Sequence, residues 1–419
     1  MASPEYFSTA TRDAATRYAE LATMVFPRPR IPTHPVLSLR AFLRRGPRVP
    51  SVLDAGQRRF VTSGRVAIAQ ALRQMKIGPG DSVLVPAYHC ASMIEPVVWS
   101  GATPVFYRVN ADTSVDLADV ASKLDATTKL ILVTNYYGFP QDLSAIRAFC
   151  DQHSLLMLED CAHCFLGKHK GKPVGSYGDY AIASSMKFFP IYEGGLLVSA
   201  RHSLDGVMLH SAGLGFHLKA ALNALETSFN YGRLGVVKAL LWLPMVLKDV
   251  VWGQIKASKA EVSTSIGPGS SDGGFNFDPQ WLDKRSSPFS RVLVRLVSLR
   301  QMGARRRENY LKLQHALAGL PGCRPLFPVL PDGVYPWVFP LYTDNPQPVF
   351  ALLKNQGVPI TRFGEFLWTG VDASVCAASD DMSRRVMSFP CHQELRNEEI
   401  TWMISAIKNA LLLHGTPTP

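Results

Sequence analysis

The chain contains no uninterrupted run of about 20 apolar residues, so nothing in it reads as a transmembrane helix. Its most apolar stretch, Leu234 to Trp252, is broken by Lys238, Pro244, Lys248 and Asp249 and reads as a buried or interfacial helix pair. The N-terminus carries acidic residues early and no continuous apolar segment with a cleavage site behind it, which argues against a secretory signal. Cysteines are few, seven in 419 residues, odd in number and irregularly spaced. That pattern predicts free thiols in a reducing, cytoplasmic setting. Cys161 and Cys164 form a C-x-x-C, but no second pair follows at zinc-finger spacing, so no metal site is expected. There is no internal repeat.

With 47% hydrophobic and 18% charged residues, disorder, coiled coil, collagen and a disulfide-stapled mini-domain all fit poorly. Lys and Arg number 44 against 33 Asp and Glu, a net charge of +11, yet the basic residues are spread along the chain. The densest cluster, Arg305 to Arg307, reads as a solvated and packing face of a helix. A nucleic-acid partner is therefore not expected, whereas a small anionic substrate or an anionic lipid surface stays open.

Residues 1–50, with prolines at 27, 29, 32, 35, 47 and 50, read as an arm with a short helix near Pro35 to Arg44. From Ser63 onward, helices and strands alternate. Helices are predicted at Arg65–Met75, Ser92–Trp99, Leu117–Leu124 and Leu143–His153. Strands are predicted at Ser82–Pro86, Thr103–Tyr107, Lys129–Thr134 and Leu155–Glu159. Short apolar strands alternating with helices predict an α/β fold, a mostly parallel sheet covered on both faces, with ligands at the carboxyl ends of its strands. A large domain over residues 51–290, carrying an apolar insertion at about 212–272, is expected to precede a smaller α+β domain over 291–419. A long helix over Phe289–Ala318, a strand near Val338–Leu341 and a final helix over Asn397–Leu413 belong to that second half.

Asp160 directly follows the strand L-L-M-L-E at the sheet's carboxyl edge, where a carboxylate needs a cation or a protonated ring nitrogen unless it caps a helix. Lys187, in S-S-M-K-F-F-P ahead of Gly194-Gly195, is flanked by apolar residues that would desolvate its amine and lower its pKa toward the nucleophilic range. Ser63-Gly64-Arg65 opens a helix, and helix N-termini attract phosphate.

The order of these motifs resembles the DegT/DnrJ/EryC1/StrS family of sugar aminotransferases, enzymes of the aspartate-aminotransferase fold (fold type I) that use pyridoxal 5'-phosphate. The resemblance runs from about Thr62 to Ala200 and more loosely from Gly273 to Leu412. It implies that Lys187 forms the Schiff base with the cofactor and shuttles the proton, and that Asp160, in Glu159-Asp160-Cys161-Ala162, pairs with the pyridine nitrogen. It further implies that Ser63, Gly64, Arg65 and Ser184 or Ser185 hold the phosphate. His163 stands where the family has Gln near the phenolic oxygen, and Tyr88 or His89 is expected to stack on the ring. Cys161 and Cys164 then fall around the Asp160 loop as packing residues. Gly274-Phe275-Asn276-Phe277-Asp278 resembles a segment whose Asn reaches the phosphate of the neighbouring subunit, so Asn276 implies a homodimer with shared sites. Asp278 stands where that segment has Arg.

The activity so implied is transfer of an amino group from an amino-acid donor, glutamate, to the keto group of a nucleotide-linked sugar. Alternatives are a non-sugar or lipid-associated ketone, a dehydratase branch that Lys187 counts against, or a non-catalytic relative. Peripheral membrane contact through 234–252 is a further expectation.

Overall fold

The computed structural model describes residues 26–43, 48–241 and 277–415. Its strands are β1 (Gln57–Val61), β2 (Ser82–Pro86), β3 (Thr103–Tyr107), β4 (Thr128–Thr134), β5 (Leu156–Asp160), β6 (Lys168–His169), β7 (Lys172–Pro173), β8 (Tyr180–Ser184), β9 (Gly195–Ser199), β10 (His210–Ser211), β11 (Lys284–Arg285), β12 (Cys323–Pro325), β13 (Val338–Thr343) and β14 (Val386–Pro390). Its helices are α1 (Gly64–Gln74), α2 (Ala91–Trp99), α3 (Leu117–Ser122), α4 (Leu143–Gln152), α5 (Leu214–Asn230), α6 (Gly235–Leu240), α7 (Pro288–Leu296), α8 (Leu299–Leu317), α9 (Pro346–Asn355), α10 (Ala373–Arg385) and α11 (Asn397–His414).

One large sheet has the order β10-β11-β1-β9-β8-β5-β4-β2-β3. Strands β3, β2, β4, β5 and β8 run parallel, whereas β9 pairs antiparallel with both β8 and β1. Every residue of β2, β8 and β9 is buried. Such strands cannot leave a face to water, and each buried Val or Leu contributes roughly 1.5–3 kcal/mol against helices on both sides. Val66, Ile68 and Leu72 of α1 pack with Val83, Val85, Leu158 and Leu197 on one side. Leu143 and Ile146 of α4 pack with Leu84, Ile131, Val133 and Met157 on the other.

The antiparallel sheet β12-β13-β14 carries α8, α9 and α11 on a separate core that includes Leu313, Phe339, Leu353, Met387, Phe389 and Ile407. A large, mostly parallel sheet unit followed by a smaller α+β unit is the architecture of fold type I.

Three expectations need correction. The single helix over Phe289–Ala318 is two helices, because Val297 takes an extended ψ of 137° and Ser298 caps α8 by accepting from Gln301 N at 3.3 Å. The helix near Pro35–Arg44 is one 3-10 turn, Leu39–Phe42, in a proline-bounded segment too short to propagate a helix. Asp160 is the last residue of β5, in register with Thr134 and Ile182, and not the residue after it.

Several hydrogen bonds tie the arm down. Arg30 N donates to Gly357 O at 2.9 Å, His392 Nε2 donates to Pro32 O at 2.9 Å, and Leu37 N donates to Ser228 Oγ at 2.8 Å. Among the described residues no helix is long and apolar enough to cross a membrane. Val236 and Leu240 of α6 are exposed, and the rest of the stretch 234–252, from residue 242, lies outside the described residues.

Candidate active site

A cavity of about 210 Å³ opens at the carboxyl ends of β5 and β8, against the N-terminus of α1. Ser63, Gly64, Arg65, Asp160, His163, Ser184 and Lys187 all line it. The ladder accounts for this assembly, since Gly195 at the start of β9 pairs with Val61 on one side and Ser184 on the other. A Cβ at Gly195 would lie 2.2 Å from Ser63 O, so the absence of a side chain lets the 62–64 turn fold directly onto β9. Ser63 Oγ accepts from Val66 N at 3.3 Å and caps α1. The first-turn amides, which a helix cannot satisfy internally, and the positive end of the helix dipole belong to residues that border the cavity, beside the Arg65 cation.

Asp160 is 3% exposed. Its Oδ1 accepts from Ala162 N at 2.7 Å. Burial pushes its pKa up to about 6, although the Ala162 amide and the charge on Lys187 pull it down. The preceding Glu159 points to the other face, as strand alternation requires. There Oε1 accepts from Asn135 Nδ2 at 3.1 Å and Gly175 N at 2.8 Å, while Oε2 accepts from Tyr177 N at 3.1 Å. Those bonds pin the strand end that presents Asp160.

Lys187 closes the single 3-10 turn Ser185–Lys187. Its Nζ stands 4.6 Å from the centre of the Trp337 ring. Burial lowers the amine's pKa, Cys90 and Asp160 raise it, and Arg65 lowers it further. A lysine so placed holds more of its amine neutral, which is the nucleophilic form.

His163 lies between two rings, with its centre 3.9 Å from Trp337 and 6.0 Å from Tyr137. Its Nδ1 is buried and has no hydrogen-bond partner among the described residues, and burial drives its pKa well below the usual value. The His163 ring lines the cavity, but this nitrogen is shielded from the cavity space.

The structure does not bring every expected residue to the cavity. Tyr88 is fully buried behind it, its hydroxyl bonded to that of Tyr137 and its ring against Tyr136 and Phe363. His89 is turned away, with Nδ1 on the carbonyls of Pro86 and Ala87, Nε2 accepting from Trp368 N at 2.9 Å, and its ring stacked on Phe106. Neither ring is placed to stack inside; Cys90 lines the cavity instead. Ser185 is buried outside the lining, whereas Ser184 is part of it. Asn276 lies outside the described residues. Asp278 spends its carboxylate on capping a short turn through Gln280 N at 3.0 Å.

Among the lining residues that the sequence reading did not name, two bring in other parts of the chain. His34 enters from the arm. Its side chain keeps accessible surface, but the protein mass around it and then the charges of Lys187 and Arg306 lower its pKa to about 4. Phe363 comes from the smaller unit, edge-on to His163 at 4.8 Å. The only sequence sign of His34 is the pair of prolines, Pro32 and Pro35, around it. Among the described residues no cluster of His, Cys, Asp and Glu can hold a metal ion.

Residues 58–231 match the family model described as the DegT/DnrJ/EryC1/StrS aminotransferase family. The chain is 31% identical over 183 residues to GDP-perosamine synthase of Escherichia coli O157:H7, a match covering 43% of this chain and 50% of that protein. It thus spans about half the length of that relative. It is 24% identical over 373 residues to dTDP-4-dehydro-2,3,6-trideoxy-D-glucose 4-aminotransferase of Saccharopolyspora spinosa, covering 86% of each. Among solved structures it shares its fold with Helicobacter pylori PseC, an aminotransferase involved in the biosynthesis of pseudoaminic acid. That superposition has a TM-score of 0.62 and 17% identity and covers 93% of this chain and 99% of the other.

Proposed function

We propose that the chain, whose residues 58–231 match the model of the DegT/DnrJ/EryC1/StrS aminotransferase family, is a pyridoxal-phosphate-dependent aminotransferase of that family. In this reading it moves an amino group from glutamate to the keto group of a nucleotide-linked sugar. The observation that carries the proposal is the meeting of a buried carboxylate, a desolvated lysine and a helix N-terminus at one cavity.

Those residues fit the family's cofactor. Arg65, the α1 N-terminus and Ser184 would hold its phosphate. Asp160, costly to ionise without a cation opposite it, would hold a proton on the pyridine nitrogen, and the His163 ring would border the cofactor from the cavity wall. When bound, the group supplies an electron sink for the carbon that loses its proton. Lys187 Nζ, its pKa lowered by burial, would carry that proton from the donor's α-carbon to the cofactor carbon that takes over the amino group, completing the first half-reaction, and would carry a proton the opposite way, onto the acceptor carbon, in the second. Arg65, as the lining cation, attracts anionic substrates. The functional unit is a homodimer in which Asn276 of one subunit serves the other's site.

The test is the absorbance spectrum of the loaded protein beside Lys187→Ala, before and after glutamate. A visible band that needs Lys187 and is bleached by glutamate supports the donor half. The acceptor half is then run with dTDP-4-dehydro-2,3,6-trideoxy-D-glucose, and with GDP-perosamine in the reverse direction against 2-oxoglutarate. Absence of any cofactor band in the wild type sinks the proposal.

A further inference from the structure

The arm that contributes His34 to the Lys187 cavity also walls a larger one. A half-open cleft of about 310 Å³ lies between arm residues 32–37, residues 190–192 and α5. His34 and Met186 line both spaces, so the two adjoin at these side chains. This volume sits at the small end of the range for small-molecule sites. It is a built space, because the Leu37–Ser228 bond fixes arm to α5 and the Pro32–His392 bond fixes arm to the smaller unit.

The lining has a definite chemistry. Among the described residues it contains no Asp, Glu, Lys or Arg. A phosphate or carboxylate buried there would lack a compensating charge, and a cation would lack an anion. What the walls do offer is neutral hydrogen bonding. Thr33 on the arm and Asn223 and Thr227 on α5 face the space, and none of the three has a side-chain hydrogen bond within the described residues. Val36 and Ile191 add apolar surface. Such a wall matches a neutral ring with hydroxyl groups on its edge and carbon on its faces. Tyr231, also in the lining, carries the guanidinium of Arg28 4.9 Å over its ring, so a cation stands one ring away from the space.

We infer that this cavity is the sugar subsite of the acceptor. The ring hydroxyls lie against Asn223, Thr227 and Thr33, the carbon to be aminated reaches the Lys187 cavity past His34, and the anionic carrier leaves beside Tyr231 and Arg28. The inference rests on the aminotransferase reading and adds to it which residues of this chain select the sugar.

The experiment is titration calorimetry on the cofactor-loaded protein with UDP-N-acetylglucosamine, dTDP-glucose and GDP-mannose, which lack the reactive ketone, beside UDP, dTDP and GDP alone. The wild type binds at least one sugar nucleotide about tenfold more tightly than its bare diphosphate, as one or two hydrogen bonds provide. The double variant Asn223→Leu/Thr227→Val loses that advantage, and Thr33→Val on the opposite wall, which leaves α5 intact, loses about threefold of it. No binding of any of the three, or an undiminished advantage in the variants, overturns the inference. So does a variant that dissociates from dimer to monomer while its sugar binding stays whole, which would assign the space to a second copy of the chain. Glutamate bleaching of the wild-type band separates the two levels. If it occurs and the variants bind like the wild type, the subsite alone falls; if it never occurs, the aminotransferase reading falls.

Discussion

Arg306 Nη2 donates to the main-chain carbonyl of Lys187 at 3.2 Å, and Nη1 of the same guanidinium donates to the carbonyl of Trp337 at 2.8 Å. The two backbones so joined carry the amine and the ring that meet 4.6 Å apart. Nε goes to Gln393 Oε1 at 3.0 Å, and the guanidinium lies 4.5 Å over the Phe188 ring. Arg306 is fully buried, and its hydrogen bonds all go to neutral oxygens. Burial brings its pKa down to about 10, which still leaves it charged at neutral pH.

Arg306→Gln should therefore lower the thermal midpoint, by the equivalent of about 3 kcal/mol for the lost charged hydrogen bonds. It should also weaken cofactor loading on Lys187, read from the visible band during titration. Arg306→Lys keeps the charge but not the fork, and should recover little. Loading equal to wild type in Arg306→Gln would show that the lysine's position does not depend on this clamp.

Acidity enters through Asp160. Its folded pKa, about 6, lies above its ordinary value of 3.8, so the folded chain holds this proton more tightly than the unfolded chain does. The resulting stability is fully present below about pH 4 and is lost as pH rises toward 6. Glu193, raised by burial to about 7, acts in the same direction over a window reaching somewhat higher. At 1.36 kcal/mol per unit the Asp160 contribution is about 3 kcal/mol in the cofactor-free protein. Thermal midpoints across pH 4–7 should fall more steeply for the wild type than for Asp160→Asn, and parallel curves would refute the assignment.

The same Asp160→Asn change should act differently on the loaded protein. An amide cannot hold the ring nitrogen's proton by charge, so glutamate-driven bleaching should slow by about 10²-fold. Cofactor retention through Lys187 should persist. Stopped-flow absorbance measures both.

Gly195→Ala sets a methyl group 2.2 Å from Ser63 O. Backbone, not a movable side chain, is what it meets, so the 62–64 turn must shift. A loss of about 1–3 kcal/mol in stability is expected, together with a larger loss of affinity for cofactor phosphate, measured by titration with pyridoxal phosphate.

Buried Arg233 and half-buried Glu399 pair at 2.8 Å and tie the end of α5 to α11. Arg233 also donates to Glu394 O at 2.9 Å. Arg233→Ala leaves Glu399 without its cation and should cost about 3–5 kcal/mol, seen in chemical denaturation. A change below about 1 kcal/mol would mean that water reaches the pair.

The alternating half of the chain was legible because its strands are short apolar runs bounded by turns, and β2 and β3 have the ends expected of them. Lys187, Asp160 and the Ser63 turn were legible as a set, since spacing relative to strand ends carries over into space. The structure keeps the Tyr88 and His89 rings out of the cavity lining for a reason that lies outside local pattern. Both rings find tertiary partners, Tyr137 for one and the Trp368 amide for the other, across 49 and 279 residues. The break between α7 and α8 was missed because Val297-Ser298 contains neither Gly nor Pro; a serine cap and the contact of Ser298 N with Ala41 O decide it. His34 had no periodicity to betray it, since its position depends on where the arm is anchored.

The anchoring of that arm sets an order of events during synthesis. Pro32 is held by His392, 360 residues later. At roughly 5–20 residues per second the arm waits on the order of 20–70 s before this partner exists. Until then the wall that carries His34 lacks its second anchor, while the strands that present Asp160 and Lys187 are already made. The nascent chain therefore passes through an interval in which its reactive lysine is assembled before its enclosure is complete.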